Sequence, residues 1–337
     1  MVEVLVTGGA GFIGSNFVRY AIAAHDDWRV TTLDKLTYAG RIENLATVMD
    51  HPRHRFVKGD VADAAVAAPL VKQSDLVVHF AAETHVDRSI ASAGDFITTD
   101  VYGTFVLLEA ARDHPRLRRF VQISTDEVYG SVAEGASRET DELKPRNPYA
   151  ASKAGADRLA YSYWATYRVP VIITRASNNY GPNQFPEKVI PLFITNAIDD
   201  RPLPLYGDGL NERDWLHVLD HCRAVDLLIA DGVNGEVYNV GGGNHVKNVQ
   251  LTHRILELAG KPASLIAPVA DRPGHDRRYS LDTAKLRALG WRPEIPLDDG
   301  LAETVAWYRS HEAWWRPIKE GDPEFQRFYR QQYGARS

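Results

Sequence analysis

Short apolar runs recur along the first half of the chain, with segments of helical spacing between them. Val2 to Val6 runs into Thr7, Gly8, Gly9, Ala10, Gly11, Phe12, Ile13 and Gly14, after which Phe17, Val18, Ala21 and Ile22 mark one helix face. Trp28 to Leu33 ends at Asp34, Arg55 to Lys58 ends at Gly59 and Asp60, and Asp75 to Phe80 runs into Ala81, Ala82, Glu83 and Thr84. Helical segments are predicted around Ala64 to Val71 and from Ile97 to His114, a fifth strand over Arg119 to Ile123 and a sixth over Val171 to Thr174. Asn147 and Pro148 open the helix that carries Tyr149, because Asn caps free amides and Pro is pre-set for a first turn. This alternation predicts an α/β chain with a Rossmann-type, doubly wound parallel sheet and right-handed crossovers.

Past residue 176 the periodicity is broken by Pro and Gly at 181, 182, 186, 191, 202, 204, 207 and 209. The pattern predicts a first domain over 1–176 with a return segment at about 215–240. A smaller α/β lobe is expected over 177–214 and about 241–320, covering the ligand. A formal net charge of −5 with no dense Lys/Arg block argues against a nucleic-acid partner. One cysteine, Cys222, excludes an internal disulfide and fits a reducing compartment. No run approaches the roughly 20 apolar residues of a membrane span, and Val2 to Val6 does not read as a cleavable leader. A cytoplasmic protein without membrane contact is expected.

The candidate chemistry sits at the ends of the predicted strands. Gly9-x-Gly11-x-x-Gly14 follows a strand and opens a helix, the context in which glycines admit a pyrophosphate. Asp34 ends the second strand, where a carboxylate can hold a ribose diol and repel a 2′-phosphate, so NAD is expected over NADP. Asp60 can meet the adenine and Phe80 to Glu83 can line the nicotinamide path. Tyr149 and Lys153 stand one helical turn apart, a spacing in which the cation is expected to lower the phenol's pKa. Asp126 and Glu127 place two carboxyl groups beside the Thr125 hydroxyl. Both can serve one substrate only if the chain turns there, since neighbours on a strand point oppositely. His217, Asp220, His221 and Cys222, and the pair His51 and His54, lack a complete ligand set, so no metal is expected.

These motifs resemble the short-chain dehydrogenase/reductase superfamily in its extended form. Within it, Thr7 to Gly14, Asp34-Lys-Leu-Thr-Tyr-Ala-Gly40, Ala81 to Ile90, Ser124 to Gly130, Ser177 to Pro182, Pro186 to Pro191, Arg213 to Trp215 and Asp271 to Tyr279 are similar to the dTDP-glucose 4,6-dehydratases. The resemblance implies an NAD-dependent hydro-lyase that removes water from dTDP-glucose, and a homodimer built on Ile97 to His114 and Tyr149 to Tyr167. It implies Tyr149 with Thr125 and Lys153 for oxidation at C4, Glu127 as base at C5 and Asp126 as acid at the 6-hydroxyl. Cofactor contacts are implied for Gly8, Gly11, Phe12, Ile13, Gly14, Asp34, Lys35, Leu36, Thr37, Asp60, Val61, Phe80, Ala81, Ala82, Glu83, Thr99, Tyr149, Lys153 and Asn179. Nucleotide-sugar contacts are implied for Thr84, Thr125, Asn178, Lys188, Val189, Pro204, Leu205, Tyr206, Arg213, Asn248, Asp271, Arg272 and His275. Arg213 and Arg272 offer bidentate forks for phosphate. Alternatives stay open: a 4,6-dehydratase or 4-epimerase of another nucleotide sugar, or a catalytically silent NAD-binding regulator. The last 40 or so residues, with Trp at 307, 314 and 315, carry no motif and read as core packing or a dimer contact.

Overall fold

The structure is a computed structural model that describes residues 1–271 and 274–333. Its strands are β1 (Val2–Thr7), β2 (Trp28–Asp34), β3 (His54–Lys58), β4 (Leu76–His79), β5 (Arg119–Thr125), β6 (Val171–Ala176), β7 (Asn178–Tyr180), β8 (Leu203–Tyr206), β9 (Glu212–His217), β10 (Val237–Val240), β11 (His245–Lys247) and β12 (Ile266–Val269). Seven of them form one parallel sheet in the order β10-β6-β5-β4-β1-β2-β3. Chain order reverses between β1 and β4, and the strand ends there open the crevice in which ligands bind in such folds.

Alternation along the buried strands divides the interior into two layers. Leu5, Val77, Phe120 and Ile173 point to the helices Ala64–Gln73, Gly103–Arg112 and Pro148–Tyr167. Val4, Val6, Val78 and Val121 point the other way, to the helices Phe12–Ala24 and Val218–Asp231. The predicted Ile97 to His114 helix is present but not uniform: Ile97–Tyr102 is wound in wide π-type turns before a regular helix over Gly103–Arg112. Such a bulge often marks a functional site, and here it carries the buried Asp100.

The chain beyond β6 builds a second apolar cluster. Helices Val189–Ile198, Asn248–Ala259 and Leu297–Ser310 surround Leu192, Phe193, Leu251, Ile255, Leu301 and Tyr308, with Trp315 fully buried among them. Two small sheets, β11-β9-β7 and β12-β8, edge this cluster. The return to the first layer runs through Val218–Asp231 and ends with β10 on the edge of the large sheet, whereas β9 belongs to the small sheet. The histidines read above as a weak metal constellation have structural partners. His217 caps the amide of Leu219, and the Asp220 carboxylate accepts from Glu294 and Ile295 amides at 3.1 and 3.0 Å. Among the described residues no group of three or more His, Cys, Asp or Glu is placed to hold a metal, and no helix is long and apolar enough to cross a membrane.

Candidate active site

A cleft of about 310 Å³ lies over the C-terminal ends of the parallel strands. Its floor begins at the glycine turn after β1. Gly8 has φ +69°, and a Cβ there would stand 2.5 Å from the amide nitrogen of Ala81. A Cβ on Gly14 would stand 2.3 Å from the carbonyl of Gly8. Both positions therefore require glycine for close backbone approach. No side chain caps the helix that starts at Phe12, so its first amides are available to an anion.

Gly8, Gly11, Phe12, Ile13, Gly14, Asp34, Lys35, Thr37, Asp60, Val61, Phe80, Ala81, Ala82, Glu83, Thr99 and Asn179 all line this cleft, together with Tyr149 and Lys153. Leu36 does not. It packs beside Tyr20, Ile42 and Phe56 against the apolar layer under β2, and its amide donates to Asp34 Oδ1 at 2.8 Å. Asp34 Oδ2 accepts from Ala10 N at 2.8 Å, so backbone bonds orient the carboxylate while burial pushes its pKa up. Lys35 and Asp60 pair at 2.7 Å.

The chemical end is built by β5 and the helix Pro148–Tyr167. The chain turns immediately after β5: Asp126–Tyr129 is a 3₁₀ turn with Thr125 as its N-cap, whose hydroxyl accepts from Glu127 N at 3.3 Å. This meets the geometric requirement for adjacent carboxyl groups. Thr125 and Glu127 line the cleft, and Asp126 lies just beneath it, 2 % exposed. Burial, then the neighbouring Glu127 charge, pushes the Asp126 carboxyl well above its usual range. The two adjacent carboxyls thus stand in different environments, the condition that separates the roles of close carboxyl groups.

Tyr149 lines the cleft from the first turn of the helix Pro148–Tyr167. Its phenol is pushed well above the ordinary value by burial, then by Glu127, Asp100 and Asp126, with only a Thr125 hydrogen bond acting the other way. Lys153 Nζ donates to the carbonyl of Ile123 at 2.7 Å. Burial also lowers Lys153, against the charge of Asp100.

Asp100 was not anticipated. It is buried, accepts from Ser152 Oγ at 2.6 Å and Glu83 N at 2.7 Å, and so ties the helix Pro148–Tyr167 to the loop after β4. Burial lifts its carboxyl to about 6 and lifts Glu83, with help from Asp100, to about 7. Other unanticipated lining residues are Ser124, Ser177, Gln184, Phe185 and His221. Among the described residues Ser124 Oγ, Ser177 Oγ, Gln184 Oε1 and His221 Nε2 are buried without a protein partner. Such atoms suit a polar ligand, and with the glycine cradle and open helix terminus they fit a dinucleotide. His221 was visible only as a member of a metal pattern, while its Nδ1 meets Asn179 Oδ1 at 3.0 Å.

The residues expected at the nucleotide sugar divide. Thr84, Asn178 and Lys188 line the cleft, with Lys188 Nζ 3.0 Å from Thr84 Oγ1. Val189, Pro204, Leu205, Tyr206, Arg213, Asn248, Asp271 and His275 lie outside that lining, in the second lobe. Val189 and Leu205 pack into its apolar cluster. Tyr206 stands edge-on to His275, which pairs with Asp271 at 2.6 Å. Arg213 donates to the carbonyl of Asp276 at 2.9 Å and lies 4.4 Å over the Tyr279 ring. Arg272 lies outside the described residues.

A parallel dinucleotide sheet with Tyr-x-x-x-Lys on the helix after β5 and carboxyls at the end of that strand defines the class of nucleotide-sugar-modifying short-chain dehydrogenases. A family profile described as GDP-mannose 4,6 dehydratase matches residues 5–304, and the chain belongs to this family. A dTDP-glucose 4,6-dehydratase of Streptomyces niveus is 53% identical over 325 residues, 95% of this chain and 96% of that protein. The structure of a dTDP-glucose 4,6-dehydratase from Streptomyces venezuelae, with NAD and dTDP bound, superposes with a TM-score of 0.92 at 53% identity, covering 94% of this chain and 100% of that one. A UDP-glucose 4-epimerase of Thermus thermophilus in complex with NAD reaches a TM-score of 0.84 at 32% identity, covering 91% and 99% of the two chains.

Proposed function

We propose that this chain removes water from dTDP-glucose to give dTDP-4-dehydro-6-deoxy-glucose, as an NAD-dependent 4,6-dehydratase. The observation that carries the reading is the 3₁₀ turn after β5, which brings Thr125 and Glu127 to the same cleft as Tyr149 and Lys153, with the buried Asp126 between them in the chain. An epimerase has no need of that acidic pair. Held by the glycine turn and Asp34, NAD would supply the hydride acceptor for C4 and the hydride for C6. Tyr149 takes the proton of the 4-hydroxyl, aided by Thr125 and by Lys153. The ketone at C4 acidifies the C5 hydrogen, which Glu127 removes. Asp126, whose carboxyl pKa burial pushes up, gives its proton to the departing 6-hydroxyl, and water leaves. C6 would then take up the hydride, and C5 regains a proton.

Lys188, Thr84 and Asn178 at the cleft, with Arg213, Tyr206, Asn248, Asp271 and His275 in the second lobe, are read as the nucleotide-sugar side. On this reading residues 1–176 and about 215–240 serve the cofactor, and 177–214 with about 241–320 serve the sugar nucleotide. The exposed apolar residues Ile97, Tyr102, Phe105, Tyr161 and Tyr167 on two neighbouring helical segments support a homodimer. Buried, unpaired Cys222 supports a reducing, cytoplasmic setting.

The test is incubation of the purified protein with dTDP-glucose, UDP-glucose and GDP-mannose separately, with products read by mass and proton NMR. Loss of one water from dTDP-glucose alone, with no net reduced cofactor, is expected. Water loss from another sugar would move the substrate, inversion at C4 without mass change would make the protein an epimerase, and no conversion with retained NAD would make it a regulator.

A further inference from the structure

Glu127 has company that the scheme above leaves unused. Its Oε2 lies 3.5 Å from two groups at once, the hydroxyl of Tyr279 and the side-chain amide of Asn147. Asn147 is fixed because its oxygen caps the helix at Ala150 N, 2.8 Å away. Tyr279 is fixed more firmly still. It is 3 % exposed, its hydroxyl donates to Asp276 Oδ2 at 2.7 Å, and the Arg213 guanidinium covers its ring. Asp276 is anchored in turn, accepting from Arg146 at Oδ1 (2.9 Å) and from Arg213 at its carbonyl (2.9 Å).

The directions of these bonds matter. Both Glu127 Oε2 at 3.5 Å and Asp276 Oδ2 at 2.7 Å are placed to accept the single hydroxyl proton of Tyr279, and the much shorter contact takes it, leaving a lone pair for Glu127. An ionised Glu127 gains little from that lone pair. A Glu127 that has just taken a proton from carbon can donate to it, completing a chain from Glu127 through Tyr279 to Asp276. Contacts of this kind are often long at rest and tighten as reaction proceeds.

We infer that Tyr279, pinned by Asp276, is a positioning residue for the C5 base: it accepts a hydrogen bond from Glu127 once Glu127 carries the C5 proton, and so favours that step selectively. Burial, then the Glu127 charge, pushes the phenol well above its ordinary value, so the hydroxyl keeps its proton throughout. The inference rests on the proposed dehydratase reading, in which Glu127 is the base.

The experiment follows two stages in one reaction mixture in deuterated buffer with dTDP-glucose and the NAD-loaded protein. Reduced cofactor, by absorbance after rapid mixing, reports oxidation at C4, and deuterium at C5 reports the Glu127 step. Tyr279→Phe should leave the first rate within about twofold and slow the second by ~10-fold, the scale of losing one hydrogen bond to a group that is or becomes charged. Asp276→Asn, which keeps the shape and loosens the hold on the Tyr279 proton, should slow the same stage by a smaller factor, and it carries the test if Tyr279→Phe does not fold. Unchanged deuterium uptake in the folded variant, or equal slowing of both stages, would overturn the inference. Failure of the unmodified protein to place any deuterium at C5 would instead overturn the dehydratase reading beneath it.

Discussion

Two walls close on the same cleft by opposite means. The cofactor wall, from Thr7 to Gly14 and at the ends of β2 and β4, works through backbone: glycines without side chains, an open helix terminus, and Asp34 held by two amides. The C-terminal strap, from Leu297 to Tyr333, works through bulky side chains whose partners are distant in sequence. Trp314 Nε1 donates to Asn44 Oδ1 at 3.0 Å, Phe325 meets Phe185 at 6.1 Å, and Phe328 stands edge-on to His85 at 5.0 Å. Gln332 donates to the Tyr206 hydroxyl, and Glu324 pairs with Arg88. Phe185 and His85 line the cleft, so the strap buttresses the site without carrying a motif. A motif is legible where function constrains neighbouring residues. A strap is not, because packing constrains size and polarity at positions far apart.

If that division holds, breaking the strap should cost stability and breaking the cofactor wall should cost binding. Trp315 is fully buried and donates to the Tyr308 carbonyl at 2.7 Å. Trp315→Ala should lower the free energy of unfolding by about 4 kcal/mol, measured by urea titration, since large aromatic-to-alanine changes leave a cavity and an unpaired partner. A loss under about 1 kcal/mol would show that the strap is dispensable.

Acid should act on the cofactor side. His79, between Thr7 and Thr104, is lowered by burial to about 3, and His221 to about 4. Below pH 6.5 the unfolded chain binds protons that the folded chain refuses, so these groups make stability fall as pH drops through that window. Each should remove ~2 kcal/mol between pH 6.5 and 5. Urea midpoints at both pH values check this, and a flat profile would mean that the histidines are hydrated or protonated in place.

Gly14→Val strains the cofactor wall itself. The added atoms would meet the Gly8 carbonyl, which is backbone and cannot swing aside. The dissociation constant for NAD should rise ~100-fold, or about 2.7 kcal/mol, by calorimetric titration, with the strap's contacts intact. Phe328→Ala is the smallest expected effect. It removes one exposed-side aromatic contact with His85, worth about 1 kcal/mol, and should raise KM for dTDP-glucose a few-fold while kcat holds. A change in kcat with no change in KM would place the strap in the chemistry and not at its edge.

The comparison also marks how far reading went. Strand ends, the glycine turn, Asp34 and the Tyr149–Lys153 helix were legible, because each depends on contiguous residues and backbone preference. The surroundings of Tyr149 were not: Glu127, Asp100 and Asp126 bring negative charge near it from elsewhere in the chain, and Lys153 donates to the carbonyl of Ile123. Leu36 stood inside a matching segment yet turns to the core.

By itself the sequence determined the periodicities, and with them a parallel sheet whose strand ends carry the glycine turn and the carboxyls. Those properties follow from steric preference and from burial of apolar faces, which act locally. Tertiary structure alone decided which carboxyl is dry, that Asp100 joins Ser152 to Glu83, that Tyr279 reaches Glu127, and where the tryptophans go. The physical reason is that pKa values and aromatic packing are set by whatever fills the surrounding few ångströms, and those neighbours come from parts of the chain that only folding brings together.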